Sequence, residues 1–208
     1  MKYKIIGSGS SGNAVVINDV ILIDCGVPFK ALHDVYRKLK IVLLTHSHGD
    51  HFNKATIKRL AKERPTIRVA CCEWLAEDVK KCIKRVDVLE IEKNNDYGDF
   101  SVTPIKLYHD VPNCGYRIFM NGKKLLYATD TSTMQGIIAE NYDLYMIERN
   151  YEEQEIMQRI ADKESRGEFS YEKRAMHNHL SEQQCNKFLV ENAGDKSEFI
   201  YMHMHRGE

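Results

Sequence analysis

Short apolar runs broken by glycine, asparagine and proline dominate the first half of the chain. Tyr3–Ile6, Ala14–Ile17 and Val20–Ile23 read as strands, separated by Gly7-Ser8-Gly9-Ser10-Ser11-Gly12-Asn13 and by the turn Asn18-Asp19. A helical period follows Pro28, with Phe29, Leu32, Val35, Tyr36 and Leu39 on one face. The continuous run Ile41–Leu44 predicts a buried strand. Beyond a polar loop come a helix from about Lys54 to Glu63 that stops before Pro65, a strand at Ile67–Ala70 and a helix over Glu73–Ile83.

The second half repeats the alternation. Phe100–Leu107, Tyr116–Met120, Lys124–Ala128, Asp143–Ile147 and Glu198–Met202 read as strands, with Asn121-Gly122 a hairpin signal. Glu152–Asp162 is helical in pattern, and Ser181 with Gln184 forms a capping box that opens a helix over Glu182–Glu191. Asp162–Tyr171 is expected to be a surface loop. Strands interleaved with outer helices predict an α/β fold, two mixed β-sheets flanked by helices in an αββα sandwich, as a single domain over residues 1–208.

Composition narrows the partners. Hydrophobic content of 43% and charged content of 29% over 208 residues are ordinary for a globular chain, and 30 Lys plus Arg balance 30 Asp plus Glu. No net field therefore recruits nucleic acid or an anionic membrane. The basic runs Arg37-Lys38-x-Lys40, Lys58-Arg59 and Lys80-Lys81-x-x-Lys84-Arg85 sit on or beside predicted amphipathic helices and read as solvated faces. Cys25, Cys71, Cys72, Cys82, Cys114 and Cys185 contain no C-x-x-C pair and read as reduced thiols. With no leader-like segment and no apolar run near the roughly 18 residues needed to span a bilayer, the expected address is the cytoplasm, with no membrane partner.

The candidate chemistry lies in Thr45-His46-Ser47-His48-Gly49-Asp50-His51. Three imidazoles and a carboxylate in a loop that leaves a buried strand are costly unless a cation sits among them, and neutral imidazole with carboxylate suits zinc. The spacing suggests two ions about 3.5–4 Å apart. His109, Asp130 and His203 each follow a predicted strand, and strand ends converge on one rim of a sheet. The expected sets are His46, His48 and His109 on one ion, Asp50, His51 and His203 on the other, and Asp130 bridging, because a carboxylate can give one oxygen to each. The expected cofactor is two Zn2+ per chain, with Mn2+ or another divalent metal an alternative. The glycine-rich turn at 7–12 precedes a strand and no helix, so a hairpin explains it better than a phosphate cradle.

Together with Gly-Ser-Gly-Ser-Ser-Gly-Asn-Ala at 7–14, Leu-Ile-Asp-Cys-Gly at 22–26, Ala-Thr-Asp-Thr at 128–131 and His-Met-His-Arg at 203–206, the metal loop resembles the metallo-β-lactamase superfamily. Within it the chain is similar to the WalJ/YycJ-like exonucleases, ribonuclease Z and phage-encoded anti-Pycsar enzymes. The resemblance implies the αββα fold and a dinuclear site. It also gives meaning to Met146–Tyr151 and His177–Ser181. His179 would protonate the leaving oxygen or hold a phosphate oxygen, and Glu148 would orient it. Asn178 stands where the family usually has glycine, which makes His177 a rival to His179. His205 replaces a usual small hydroxyl residue and competes with His203.

The expected reaction is hydrolysis of a phosphodiester by metal-bridged hydroxide, with Asp50, His179 and Glu148 as catalytic residues. A short neutral chain without a nucleic-acid arm favours a small nucleotide substrate, a cyclic mononucleotide first, with DNA or RNA exonuclease activity next and lactone or thioester hydrolysis third. His48 stands where superfamily redox-iron proteins carry Glu, which argues against redox chemistry. The sequence leaves room for a homodimer.

Overall fold

The structure, a computed structural model, describes residues 1–204. The chain divides into two compact units, residues 1–104 and 105–208. In the first unit β1 (Tyr3–Gly7), β2 (Ala14–Ile17), β3 (Ile21–Ile23), β4 (Ile41–Leu43), β5 (Arg68–Cys72) and β6 (Val86–Leu89) form one mixed sheet in sequential order. β1–β2–β3 pair antiparallel and β3 to β6 parallel. The glycine-rich turn is a hairpin connection, as expected, closed by Gly12 N donating to Gly9 O at 2.9 Å.

One face of this sheet, carrying Val16, Leu22, Val42, Val69 and Cys71, is covered by α1 (Lys54–Glu63), α2 (Glu73–Lys80) and the segment after Pro28. α1 buries Ile57 and Leu60, spaced one turn apart, and α2 buries Leu75, Ala76 and Val79. The first helix is capped by Asn53, whose side chain accepts from Thr56 N at 3.0 Å.

The segment after Pro28 differs from expectation. Only Phe29–Leu32 is helical, a single 3-10 turn, and the bonds Val35 N to Leu32 O and Lys38 N to Val35 O continue it as turns. Leu32, Val35, Tyr36 and Leu39 are nevertheless all buried. The period tracked burial, which successive i+3 turns reproduce nearly as well as an α-helix. β6 escapes the sequence pattern because its outer position leaves most of it partly exposed. β7 (Asn95–Asp96) is too short to carry a pattern.

The second sheet has the order β12-β11-β10-β9-β8-β7, with β8 (Phe100–Leu107), β9 (Asn113–Met120), β10 (Lys123–Ala128), β11 (Leu144–Glu148) and β12 (Glu198–Met202). Asn121 and Gly122 both take positive φ, 53° and 72°, the requirement of the tight turn joining β9 to β10. β10, β11 and β12 run parallel. In the second unit Leu126, Ala128, Tyr145 and Ile147 pack with Leu180, Cys185, Phe188 and Leu189, the last three from α5 (Glu182–Asn192). The expected capping box at Ser181 and Gln184 is present.

α3 (Glu153–Ser165) runs further into the expected loop than its pattern suggested. A further helix, α4 (Glu172–Asn178), was not legible, since Glu172-Lys173-Arg174 offers no apolar period. The pair is pinned by the ion pair between Lys163 and the buried Glu172 at 2.7 Å.

Asn53→Ala removes the cap of α1 and should cost about 1 kcal/mol. The expected reading is a Tm lower by about 2–4 °C in a thermal melt of the whole chain; an unchanged Tm would show that tertiary packing alone holds that helix end.

Candidate metal centre

In the first unit, the parallel pairing of β3 with β4 sets Asp24 beside the loop that leaves β4. Asp24 is fully buried and accepts from Thr45 N and Thr45 Oγ1, both at 2.9 Å. It also lies 2.7 Å from His51 Nδ1. A carboxylate only accepts, so Nδ1 carries the proton and Nε2 is left with the lone pair a cation needs. Asn13 Nδ2 now donates to that Nε2 at 2.8 Å, an amide that a bound ion would displace.

His46 Nε2 and His48 Nδ1 stand 3.1 Å apart, and Asp50 Oδ2 is 3.7 Å from His51 Nε2. Ligand atoms about 2.0–2.2 Å from a tetrahedral zinc lie about 3.3–3.6 Å from one another. Imidazoles and a carboxylate at these separations therefore fit a divalent cation. The loop sits directly on Gly26, where an added Cβ would meet Asp50 O at 1.7 Å.

In the second unit, strand register does the assembling. Ala128 of β10 pairs with Ile147 of β11, and Glu148 pairs with Met202 of β12. Asp130, Glu148 and His203 therefore emerge at one end of three adjacent strands. Asp130 and His203 take positive φ, 57° and 49°, so the chain turns at once on leaving the sheet. Asn113 Nδ2 donates to Thr129 O and Asp130 O, and Asn150 Nδ2 to His203 O.

Glu148 is the hub. Fully buried, it accepts from Thr131 N at 2.9 Å and Leu180 N at 3.2 Å, and its other oxygen lies 2.6 Å from His179 Nδ1 and 3.4 Å from His203 Nδ1. His203 Nδ1 is 2.8 Å from Asp130 Oδ1, and His179 Nδ1 is 3.5 Å from the same oxygen. Asp130, Glu148, His179 and His203 each offer a ligand atom within 4.8 Å of the others. His109 lies beside them, its ring centroid 5.1 Å from that of His179, and its Nδ1 donates to Asn178 O at 2.9 Å. That bond directs Nε2 of the neutral ring toward a ligand role.

His179 reaches the hub because α4 stops at Asn178 and the chain extends alongside Asn150 and Tyr151. His177, the rival position, is exposed on the last turn of α4. His205 lies outside the described residues. Asp24, Asn13 and Asn113 carry the loops yet received no role from the sequence. The signals for Asp24 are a charge that ends the apolar run Ile21–Ile23 and its place in the Leu-Ile-Asp-Cys-Gly motif at 22–26.

Burial by itself would lower the proton affinity of His109, His179 and His203. It prevails at His109, which sits below the ordinary imidazole value. At His179 burial is outweighed by Glu148 and then Asp130, and the value rises. At His203 burial is outweighed by Asp130 and Glu148 together, and the ring is pushed up to about 10.

Residues 20–204 match the beta-lactamase superfamily domain, and the chain belongs to that family. Comparison with curated protein sequences found no match. Among solved structures, the metallo-beta-lactamase fold protein YhfI from Bacillus subtilis is 21% identical, with a TM-score of 0.75 over 99% of this chain and 87% of that one. Human tRNase Z, short form, is 16% identical, with a TM-score of 0.71 over 98% and 92%. A diphosphatase from the PhnP family is 16% identical, with a TM-score of 0.69 over 97% and 85%. These likenesses show the metallo-β-lactamase fold class that the pattern predicted. With the donor sets of the two units, membership in the family makes this a divalent-metal-binding chain of the metal-dependent hydrolase class. No helix among the described residues is long and apolar enough to cross a membrane.

Two outcomes are expected. Gly26→Ala drives a methyl into Asp50 O, so metal content by mass spectrometry should fall while the far-UV spectrum persists; full metal content would show that the loop can shift without loss. His203 is protonated at pH 7 in the metal-free protein, because its raised value keeps the proton until the pH approaches about 10. A ligand histidine must be neutral. Zinc titration by calorimetry in buffers of different ionisation enthalpy should therefore show net proton release, and buffer-independent heats would contradict it.

Proposed function

We propose that this chain is a phosphodiesterase acting on cyclic mononucleotides with a pair of divalent metals, Zn2+ first. The reading takes His46, His48 and His109 as one ligand group and Asp50, His51 and His203 as the other, with Asp130 common to both, as the sequence implies. When bound, such a pair supplies Lewis acidity and a water activated near neutral pH. The chain's own residues do the rest. His51 is held in one tautomer by Asp24, and His109 by the Asn178 carbonyl.

The observation that carries the reading is the contact between His179 and Glu148 beside Asp130. His179 is part-exposed, its proton affinity is raised, and Glu148 fixes its ring. With Nδ1 engaged by Glu148, Nε2 is the atom left to give a proton to a departing ribose oxygen or to hold a phosphate oxygen, and the raised proton affinity favours that role. Asp50 belongs to the same chemistry, a carboxylate partly open to solvent beside His51. A second reading is exonuclease action on DNA or RNA, carried by the resemblance of the motifs to the WalJ/YycJ-like exonucleases; the fold shared with a protein named as a tRNase keeps RNA in view.

A panel of 2′,3′- and 3′,5′-cyclic nucleotides, single- and double-stranded DNA, and RNA tests the choice. Turnover of cyclic nucleotides is expected, and turnover of polynucleotide alone would replace the first reading by the second. Metal analysis should find about two ions per chain; fewer than about one would remove the dinuclear reading. Asp130→Ala should abolish turnover and release metal. His179→Ala should lose about 10²–10⁴ in rate while keeping metal, and metal loss in that variant would instead make His179 a ligand.

A further inference from the structure

The basic run Lys80-Lys81-x-x-Lys84-Arg85 reads from sequence as a solvated face, yet the fold gathers it around a depression. The end of α1 and the segment after α2 enclose a concavity of about 500 Å3 lined by Lys62, Lys80, Lys81, Lys84 and Arg85 over a floor of Ala61, Pro65, Cys82 and Ile83. No acidic side chain lines it, in a chain whose charges balance overall. β4, β5 and β6 run parallel, and this depression lies where the chain enters β5 and β6. The loop carrying His46–His51 leaves the opposite end of β4.

Local pairing leaves charge over. Lys80 and Lys81 each meet an acid one helical turn back, Glu77 at 2.7 Å and Asp78 at 2.8 Å. Those are exposed pairs that can exchange partners at little cost. Lys62 and Lys84 form no ion pair among the described residues, and Arg85 donates only to the Thr66 carbonyl, at a long 3.4 Å. Some of this charge complements the carbonyl ends of two helices, but the half charge of a helix end does not match five cations.

We propose that this depression docks the phosphate backbone of nucleic acid. Its cations are mostly ammonium groups on flexible stems, which meet phosphates as point charges. The lining has no aromatic side chain to stack on a base, so docking is blind to sequence. An anionic membrane is the poorer fit, since none of the large exposed apolar side chains lies on this rim to enter a bilayer. A chain without net charge can thus hold a polyanion locally, because the fold concentrates what the sequence averages.

The test is fluorescence anisotropy of the full metal-loaded chain with a labelled phosphorothioate single strand of about 20 nucleotides, which resists cutting. About three contacts predict a slope of log K against log salt near −2, so affinity should fall about fifteenfold between 50 and 200 mM KCl. Lys62→Glu with Lys84→Glu should weaken binding at least about tenfold at low salt and flatten that slope. Lys62→Ala with Lys84→Ala should do the same to a smaller degree. Turnover of a small chromogenic phosphodiester should stay within about twofold in both variants, which separates docking from chemistry. Equal affinity and slope in wild type and variants would overturn the proposal. So would binding to phosphatidylserine vesicles, lost in the same variants, without binding to the oligonucleotide. The result does not depend on which phosphodiester the metal site cuts.

Discussion

A carboxylate shut away from water must be met by fixed donors, and in each unit one such group fixes part of the histidine set: Asp24 holds His51, and Glu148 meets His179 and His203. Burying an ion costs several kcal/mol even after relaxation. Asp24 and Glu148 are both fully buried, and each meets that cost with a backbone amide and at least one imidazole. The obligation runs both ways. The carboxylate needs the ring's proton, and the ring thereby acquires one orientation and one tautomer. Ligand geometry thus rests on buried charge, ahead of any metal.

Backbone strain is the second part of the same arrangement. Asp24, Asp130 and His203 each follow directly, or within two residues, on the end of a parallel strand, and all have φ between 49° and 57°. The left-handed conformation costs an L-residue roughly 1–2 kcal/mol, least for Asp, Asn and His. It turns the chain within one residue, so the next side chains face across the strand ends and do not continue the pleat. Asn113 and Asn150 hold the turned carbonyls of the second unit.

Much of this was legible in the residues. The β9–β10 turn needs two positive-φ residues, and Asn121-Gly122 announces it; Ser181 and Gln184 cap each other within one turn of helix. These features are local, so a window of a few residues contains their whole cause. The helix expected after Pro28 failed because burial period and hydrogen-bond pattern are separate properties, and Leu32, Val35 and Leu39 satisfy the first in a chain of turns. α4 was illegible because its apolar contacts with Ile156 and Ile160 come from the adjacent residues Ala175 and Met176, which set no period, and because the Lys163–Glu172 ion pair that also holds it is reported by no apolar spacing.

The same division runs through the candidate site. By itself the sequence determined the donor types and their spacing in His46–His51, and the places of His109, Asp130 and His203 after strands, because a strand and the loop leaving it are consecutive in the chain. The resemblance paired Glu148 with His179 and left His177 a rival; only the tertiary structure decided that Asp24 governs His51, that Glu148 also takes the amides of Thr131 and Leu180, and that His177 faces solvent. Those choices depend on the register between parallel strands and on where α4 ends. Register is set by packing between segments tens of residues apart, so no local run of residues records it.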